Sequence, residues 1–160
     1  MALKIGDKAP DFSLISDQNK LVSLKDLRGK KIVLYFYPKD NTPGCTREAC
    51  DFRDAICDFQ SEQIEIIGIS KDHPEKHQQF KQKFNLPFTL LADTQGTTCE
   101  AYGIFKKKSL FGKSFLGIQR TTFLIDEQGI IQAIWPNVKV TGHIEKILKT
   151  LKTPMEKEKS

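Results

Sequence analysis

The 160 residues are 39% hydrophobic and 28% charged, proportions that exclude a disordered or fibrous chain. That length buries roughly two-thirds of the unfolded surface, and no apolar run approaches the about 20 residues needed to cross a bilayer. Much of the net charge of +5 lies in Lys106-Lys107-Lys108 and in residues 146–160, runs that read as solvated faces; with no groove-entering motif beside them, nucleic-acid binding is not expected.

The opening MALKIGDKAPDF lacks the apolar stretch of a secretory signal, so a cytoplasmic protein is expected. Four cysteines in so long a chain are too few for a disulfide framework. In a reducing compartment they are idle, metal-bound or catalytic.

In chain order, Phe12, Leu14, Leu21, Val22 and Leu24 predict two short strands around a turn at Ser16-Asp17-Gln18-Asn19, with Gly29 as a break. Residues 32–37, IVLYFY, form a continuous β-branched and aromatic run, the pattern of a strand buried on both faces, and Pro38 ends it. The loop KDNTPG then leads into a helix that begins near Cys45. Residues 64–70, IEIIGIS, predict a second buried strand, and residues 74–84, opened by Pro74, a helix. Residues 120–125 and the run IIQAIW predict a hairpin turning at Asp126-Gln128-Gly129, and residues 141–152 an amphipathic closing helix. Alternating strands and helices with an appended hairpin imply one three-layer α/β domain over residues 1–152 with a mixed central sheet and an N-terminal β extension. Residues 153–160 are too polar to pack and are expected to form a frayed tail.

Chemistry concentrates in YFYPKDNTPGCTREACDF, residues 35–52. A Thr-Pro-Gly turn ahead of Cys45 puts its sulfur in the first turn of the helix, where unpaired N–H groups and the helix dipole favour an anion. Cysteines so placed ionise more readily than a free thiol, and the thiolate is the nucleophile. At 100° per residue Cys45, Ala49, Phe52, Ile56 and Phe59 share an apolar stripe, opposite Arg47, Asp51, Asp54 and Asp58; Cys50 and Cys57 border the polar side. Five residues of intact helix rise about 7.5 Å, too far for a disulfide between Cys45 and Cys50 unless the first turn and a half unwinds.

Pro38, Thr42 and Cys45 match the signature Pro-x-x-x-Thr-x-x-Cys, and with Glu48 and Cys50 the chain resembles the peroxiredoxin Q or bacterioferritin comigratory protein subfamily of peroxiredoxins. The likeness extends to GDKAPDF, LRGKKIVLYFYPKD, GIS, LADTQG and GIQRTTFLID, nearly the whole chain. It implies a thioredoxin-like fold and a thiol-dependent peroxidase of hydrogen peroxide and organic hydroperoxides, serving antioxidant defence. Cys45 would attack the peroxide and become a sulfenic acid, and Cys50 would resolve it to an intramolecular disulfide that thioredoxin reduces. Thr42 would bind peroxide and Arg120 would be the active-site arginine. Pro38 and Pro43 would shield the sulfur, with Gly44 and Glu48 supporting the pocket. No metal, haem or flavin is implied, and a monomer is expected.

The remaining candidates are weaker. A thioredoxin-type oxidoreductase would show Cys-x-x-Cys, whereas Cys45 is followed by Thr46, Arg47 and Glu48. Zinc has no short Cys-x-x-Cys knuckle here. His73 and His77, four residues apart, are expected to face solvent, Cys57 to sit on a helix flank, and Cys99 to be half-buried. The aromatic and basic segment 105–116 reads as a loop that rims the site or engages a partner. Glu48 reads either as an acid that orients Arg120 or as one favoured by the charge preference of a helix start.

Overall fold

The structure is a computed structural model describing residues 3–152; the expected tail, residues 153–160, lies outside them. The run beginning IVLYF builds the central strand. Strand β3 (Lys31–Phe36) follows β1 (Ser13–Ser16) and β2 (Leu21–Ser23), and leads into helices α1 (Pro43–Asp54) and α2 (Ile56–Ser61). Then come β4 (Ile64–Ser70), α3 (Pro74–Phe84), β5 (Thr89–Ala92) and α4 (Thr97–Ala101). The chain closes with β6 (Phe105–Leu110), β7 (Lys113–Ile118), β8 (Thr121–Ile125), β9 (Ile131–Trp135) and α5 (His143–Lys152).

Seven strands form one mixed sheet in the order β2-β1-β5-β4-β3-β8-β9. β3 runs parallel to β4 and antiparallel to β8, pairing Tyr35 with both Gly68 and Thr122. β1 and β2 extend the β5 edge antiparallel, as the N-terminal β extension requires. Alternation along β3 supplies two cores. Ile32, Leu34 and Phe36 pack with Phe12, Cys99, Tyr102 and Phe123 on one face. Val33, Tyr35 and Tyr37 pack with Cys45, Phe52, Phe59, Phe80 and Ile147, from α1, α2, α3 and α5, on the other. A strand flanked by cores on both faces needs no polar side, hence its unbroken apolar sequence. Among the described residues no helix is long and apolar enough to cross a membrane.

Two expectations change. Residues 105–116 are not a loop: β6 and β7 pair over their whole length as a separate two-stranded hairpin. Its turn residues, Phe111 and Gly112, both have positive φ, the geometry of a tight two-residue hairpin turn. Phe111 is 95% exposed, and Phe115 and Leu116 are also exposed. Nor does one helix carry the whole stripe from Cys45 to Phe59. Ala55, with ψ near 9°, separates α1 from α2, and the change of direction lets Phe52 and Phe59 both bury with ring centroids 5.8 Å apart.

Candidate active site

β3 ends buried at Phe36, and the chain turns over residues 38–42 before α1 starts. Thr42 is the N-cap in extended conformation, and Pro43 occupies the first helical position, where its missing N–H costs nothing. Cys45 is therefore the third residue of α1. The N–H groups of Gly44 and Cys45 have no acceptor one turn back within the helix, so they and the helix dipole surround the sulfur with positive potential. Cys45 is buried, with 2% of its surface exposed. Thr42 makes no side-chain cap; its hydroxyl instead donates to the Lys39 carbonyl at 2.9 Å. Pro38 and Thr42 are half-buried and Pro43 is exposed at the rim.

Arg120 comes from the residue before β8, a full 72 positions from its partner. Its Nη1 donates to Glu48 Oε1 at 2.7 Å, with Glu48 fully buried and Arg120 mostly so. Gly44 is what lets the guanidinium approach: a Cβ there would lie 3.2 Å from Arg120 Nη2. Burial draws the guanidinium down, but Glu48 and Cys45 more than offset it and hold Arg120 above its ordinary value. The cation thus stands beside the helix start that presents the sulfur. Gly44, Cys45 and Glu48 share α1 with Arg120 against them, and Thr42 stands at the N-cap of the same helix.

Burial pushes the Glu48 carboxyl up to about 7, against the pull of Arg120. Its Oε2 and the Tyr35 hydroxyl are both buried without a hydrogen-bond partner among the described residues. Because the folded-state value, about 7, exceeds the ordinary 4.5, the native state holds this proton more tightly than the unfolded chain. The stability this lends is complete below pH 4.5 and is lost as pH rises through 7. Glu48→Gln keeps an acceptor for Arg120 and removes the titration. Wild type is expected to lose about 3 kcal/mol relative to the glutamine variant over that range, read from denaturant unfolding at several pH values. Parallel stability curves for the two proteins would contradict it.

The other cysteines differ from Cys45. Cys50 is half-buried on α1, and burial first, then Asp54 and Asp51, raise its thiol above the ordinary value despite Arg53. Cys57 is exposed on α2. Cys99 is fully buried rather than half-buried, because α4 turns it onto the sheet; burial and Asp93 push its thiol far up, which makes it unreactive.

His73 is exposed, as expected, but His77 is not. The amphipathic phase of α3 places His77 with Phe80 on the buried side, and it has no exposed surface. Its Nδ1 lies 2.6 Å from Asp40 Oδ2 and its Nε2 3.0 Å from the Leu91 carbonyl. The Tyr37 hydroxyl donates to Asp40 Oδ1 at 2.5 Å. Ligand atoms of Asp40, Asp72 and His77 fall within 4.8 Å of one another, but the 2.6 Å contact is hydrogen-bond length and leaves no room for a cation between those two atoms. On the far side of Phe52, His143 is also buried and contacts Thr122 Oγ1 at 2.9 Å, and burial pushes its imidazole down to about 4.

A model of the AhpC/TSA family matches residues 5–134. The chain is 55% identical over 148 residues to the putative peroxiredoxin bcp of Coxiella burnetii, covering 92% of this chain and 98% of that protein. It is 52% identical over 157 residues to peroxiredoxin Bcp of Bacillus subtilis, covering 98% and 100%. Among solved structures, the bacterioferritin comigratory protein of Xanthomonas campestris, described for its alkyl peroxide reduction activity, superposes with a TM-score of 0.85 at 36% identity, over 89% of this chain and 90% of that one.

Proposed function

The chain belongs to the AhpC/TSA family as a thiol-dependent peroxidase of the Bcp peroxiredoxin type, and from that premise we propose that Cys45 is the sulfur that attacks peroxide and Cys50 the one that resolves it. The observation that carries this reading is a buried sulfur at the third position of α1, facing orphan N–H groups and the Arg120 guanidinium.

The Cys45 thiolate donates an electron pair to the terminal oxygen of a hydroperoxide, the O–O bond breaks, and the departing hydroxide or alkoxide takes a proton and leaves as water or alcohol. Cys45 becomes a sulfenic acid. Charge passes from sulfur to oxygen during this displacement, and donors that are already in place around both atoms lower the barrier. Arg120 stays cationic throughout, and Glu48 aims it. With the Thr42 proton committed to the Lys39 carbonyl, the hydroxyl oxygen remains free to accept the hydroperoxide O–H. Pro38 and Pro43 border the sulfur and limit the entry of water.

The Cys50 sulfur then displaces the sulfenic hydroxyl, water leaves, and a disulfide forms. A dithiol protein of the thioredoxin type takes over that disulfide by exchange, which restores both thiols. No metal or organic cofactor takes part, since each electron pair comes from sulfur. We read residues 1–152 as one domain, acting as a cytoplasmic monomer without nucleic-acid or membrane partners.

The test is stoichiometric peroxide added to the dithiol protein, followed by mass measurement and amide exchange. Wild type should lose two protons, and exchange over residues 45–52 should be far faster in the disulfide form, because the helix rise forbids the bond until that turn unwinds. Cys50→Ser should still be oxidised at Cys45 but gain oxygen instead of closing a disulfide. Equal protection of residues 45–52 in both forms rules out the coupled unwinding.

A further inference from the structure

The cluster around Asp40 lies in the loop that carries Thr42 and Cys45, yet none of its groups is used in the chemistry above. Asp40 is 2% exposed, Tyr37 1% and His77 0%. Its carboxylate is held from two sides, by the Tyr37 hydroxyl at the end of β3 and by His77 on α3. Its backbone N–H donates to Asp72 Oδ2 at 2.7 Å, and the same oxygen accepts from the Ser70 hydroxyl at the end of β4. His77 is fixed in turn: the Leu91 carbonyl can only accept, so Nε2 carries hydrogen. Its Nδ1 is joined to Asp40 Oδ2 by a hydrogen bond of 2.6 Å. Three elements of the scaffold therefore converge on one residue.

The next residue behaves differently. Asn41 is exposed and left-handed, with φ near +61°, and among the described residues its side chain reaches only Lys83 at 3.4 Å on the surface. Thr42 is tied only within its own segment, its hydroxyl to the neighbouring Lys39 carbonyl and its carbonyl to the Thr46 N–H of α1 at 2.8 Å. The loop thus has a fixed half ending at Asp40 and a loosely held half that runs into the start of α1. A carboxylate buried this deeply is costly unless every lone pair it offers is used, and here it is surrounded by donors.

We propose that Asp40, clamped by Tyr37 and His77, is a positioning residue that sets the peroxide-reactive placement of Thr42, Gly44 and Cys45 and marks the end at which unwinding stops. The proposal rests on Cys45 being the attacking sulfur. The clamp acts on the folded arrangement only: peroxide attack needs the sulfur held against Arg120, whereas disulfide formation needs that arrangement released. Loosening the clamp should therefore slow the first step and leave the second unimpaired, a pattern that a general loss of stability does not produce.

The experiment compares full-length wild type, Asp40→Ala, Asp40→Asn and Tyr37→Phe in stopped flow with hydrogen peroxide, well below their unfolding temperatures, with amide exchange on the dithiol forms. Asp40→Ala is expected to slow oxidation of Cys45 by about 10-fold or more, since misplacement by an ångström can cost about that or more. Disulfide closure should be as fast as wild type or faster, and the amides of residues 41, 42 and 44 should exchange faster. Asp40→Asn can accept from Tyr37 and donate to a neutral Nδ1, so it should stay within about 3-fold of wild type. If Asp40→Ala does not fold, Tyr37→Phe, which deletes one hydroxyl, should show the same one-sided slowing at about 3-fold. Wild-type oxidation rates in folded Asp40→Ala, or in Tyr37→Phe where the alanine variant does not fold, overturn the proposal; so does equal slowing of both steps, or an asparagine variant as poor as alanine. Should wild type itself ignore peroxide, the functional reading fails instead, and the exchange of residues 41, 42 and 44 still decides whether Asp40 is the clamp.

Discussion

Cys45→Ser is expected to abolish peroxide consumption, with a loss of at least about 10³-fold in the oxidation rate, because a hydroxyl is not ionised at neutral pH and is a poor nucleophile without an adjacent base. No other sulfur can replace it. Cys99 is sealed in the opposite core and held as a thiol, and Cys50 is held as a thiol by burial and two neighbouring acids. Cys57 is exposed on α2, a separate helix with no arginine beside it comparable to Arg120 among the described residues. Serine is nearly isosteric, and burying its hydroxyl costs about 1–3 kcal/mol, so the variant should stay folded. Mass measurement after peroxide should show an unchanged protein. A stoichiometric loss of two protons in this variant would move the active sulfur elsewhere and end the present assignment.

Arg120→Ala should be the next most damaging change, lowering the rate of oxidation by about 10² to 10³-fold, the usual cost of removing a preorganised donor from a developing charge. It has a second effect. Glu48, fully buried, loses the partner at 2.7 Å and must take up a proton or stay charged alone, so the variant should be less stable than wild type. The two effects separate in the double variant Arg120→Ala/Glu48→Gln: thermal stability should largely return, while the oxidation rate should not. Recovery of rate together with stability would mean that Arg120 acts only by holding α1 in place.

Much of this arrangement was readable in the sequence because local rules decide it. The uninterrupted IVLYF run could only be a strand covered on both faces, and Thr42-Pro43-Gly44 could only open a helix, which fixes Cys45 in its first turn. The parts that escaped depend on distant partners or on short elements. β5 has four residues and α4 five, too few for any periodicity to register. The β6–β7 hairpin was hidden by three consecutive lysines and by a turn in which phenylalanine takes a conformation usual for asparagine. His77 shows the limit most clearly. Its spacing from Phe80 and Phe84 does mark the inner face of α3, but a histidine pair four apart reads equally as a surface feature, and the carboxylate that justifies its burial is 37 positions away. The Glu48–Arg120 pair, 72 apart, was reached through family likeness rather than through spacing.

Phe52 adds one more consequence. It is wholly buried, stacked on Tyr35 at 4.6 Å and in ring contact with Phe59, Phe88 and His143. It follows Cys50 by only two residues, so the far end of α1 is riveted to the sheet just past the second sulfur, and Asp40 does the same just before the first. The Cys45–Cys50 cycle proposed above would, with such a layout, disturb the segment between Asp40 and Phe52 and leave the rest in place. The freedom gained by a segment tethered at both ends grows only with the logarithm of its length, so the oxidised and reduced proteins can differ in shape at one patch while sharing the same melting core. A reductant would then recognise its substrate by that patch alone.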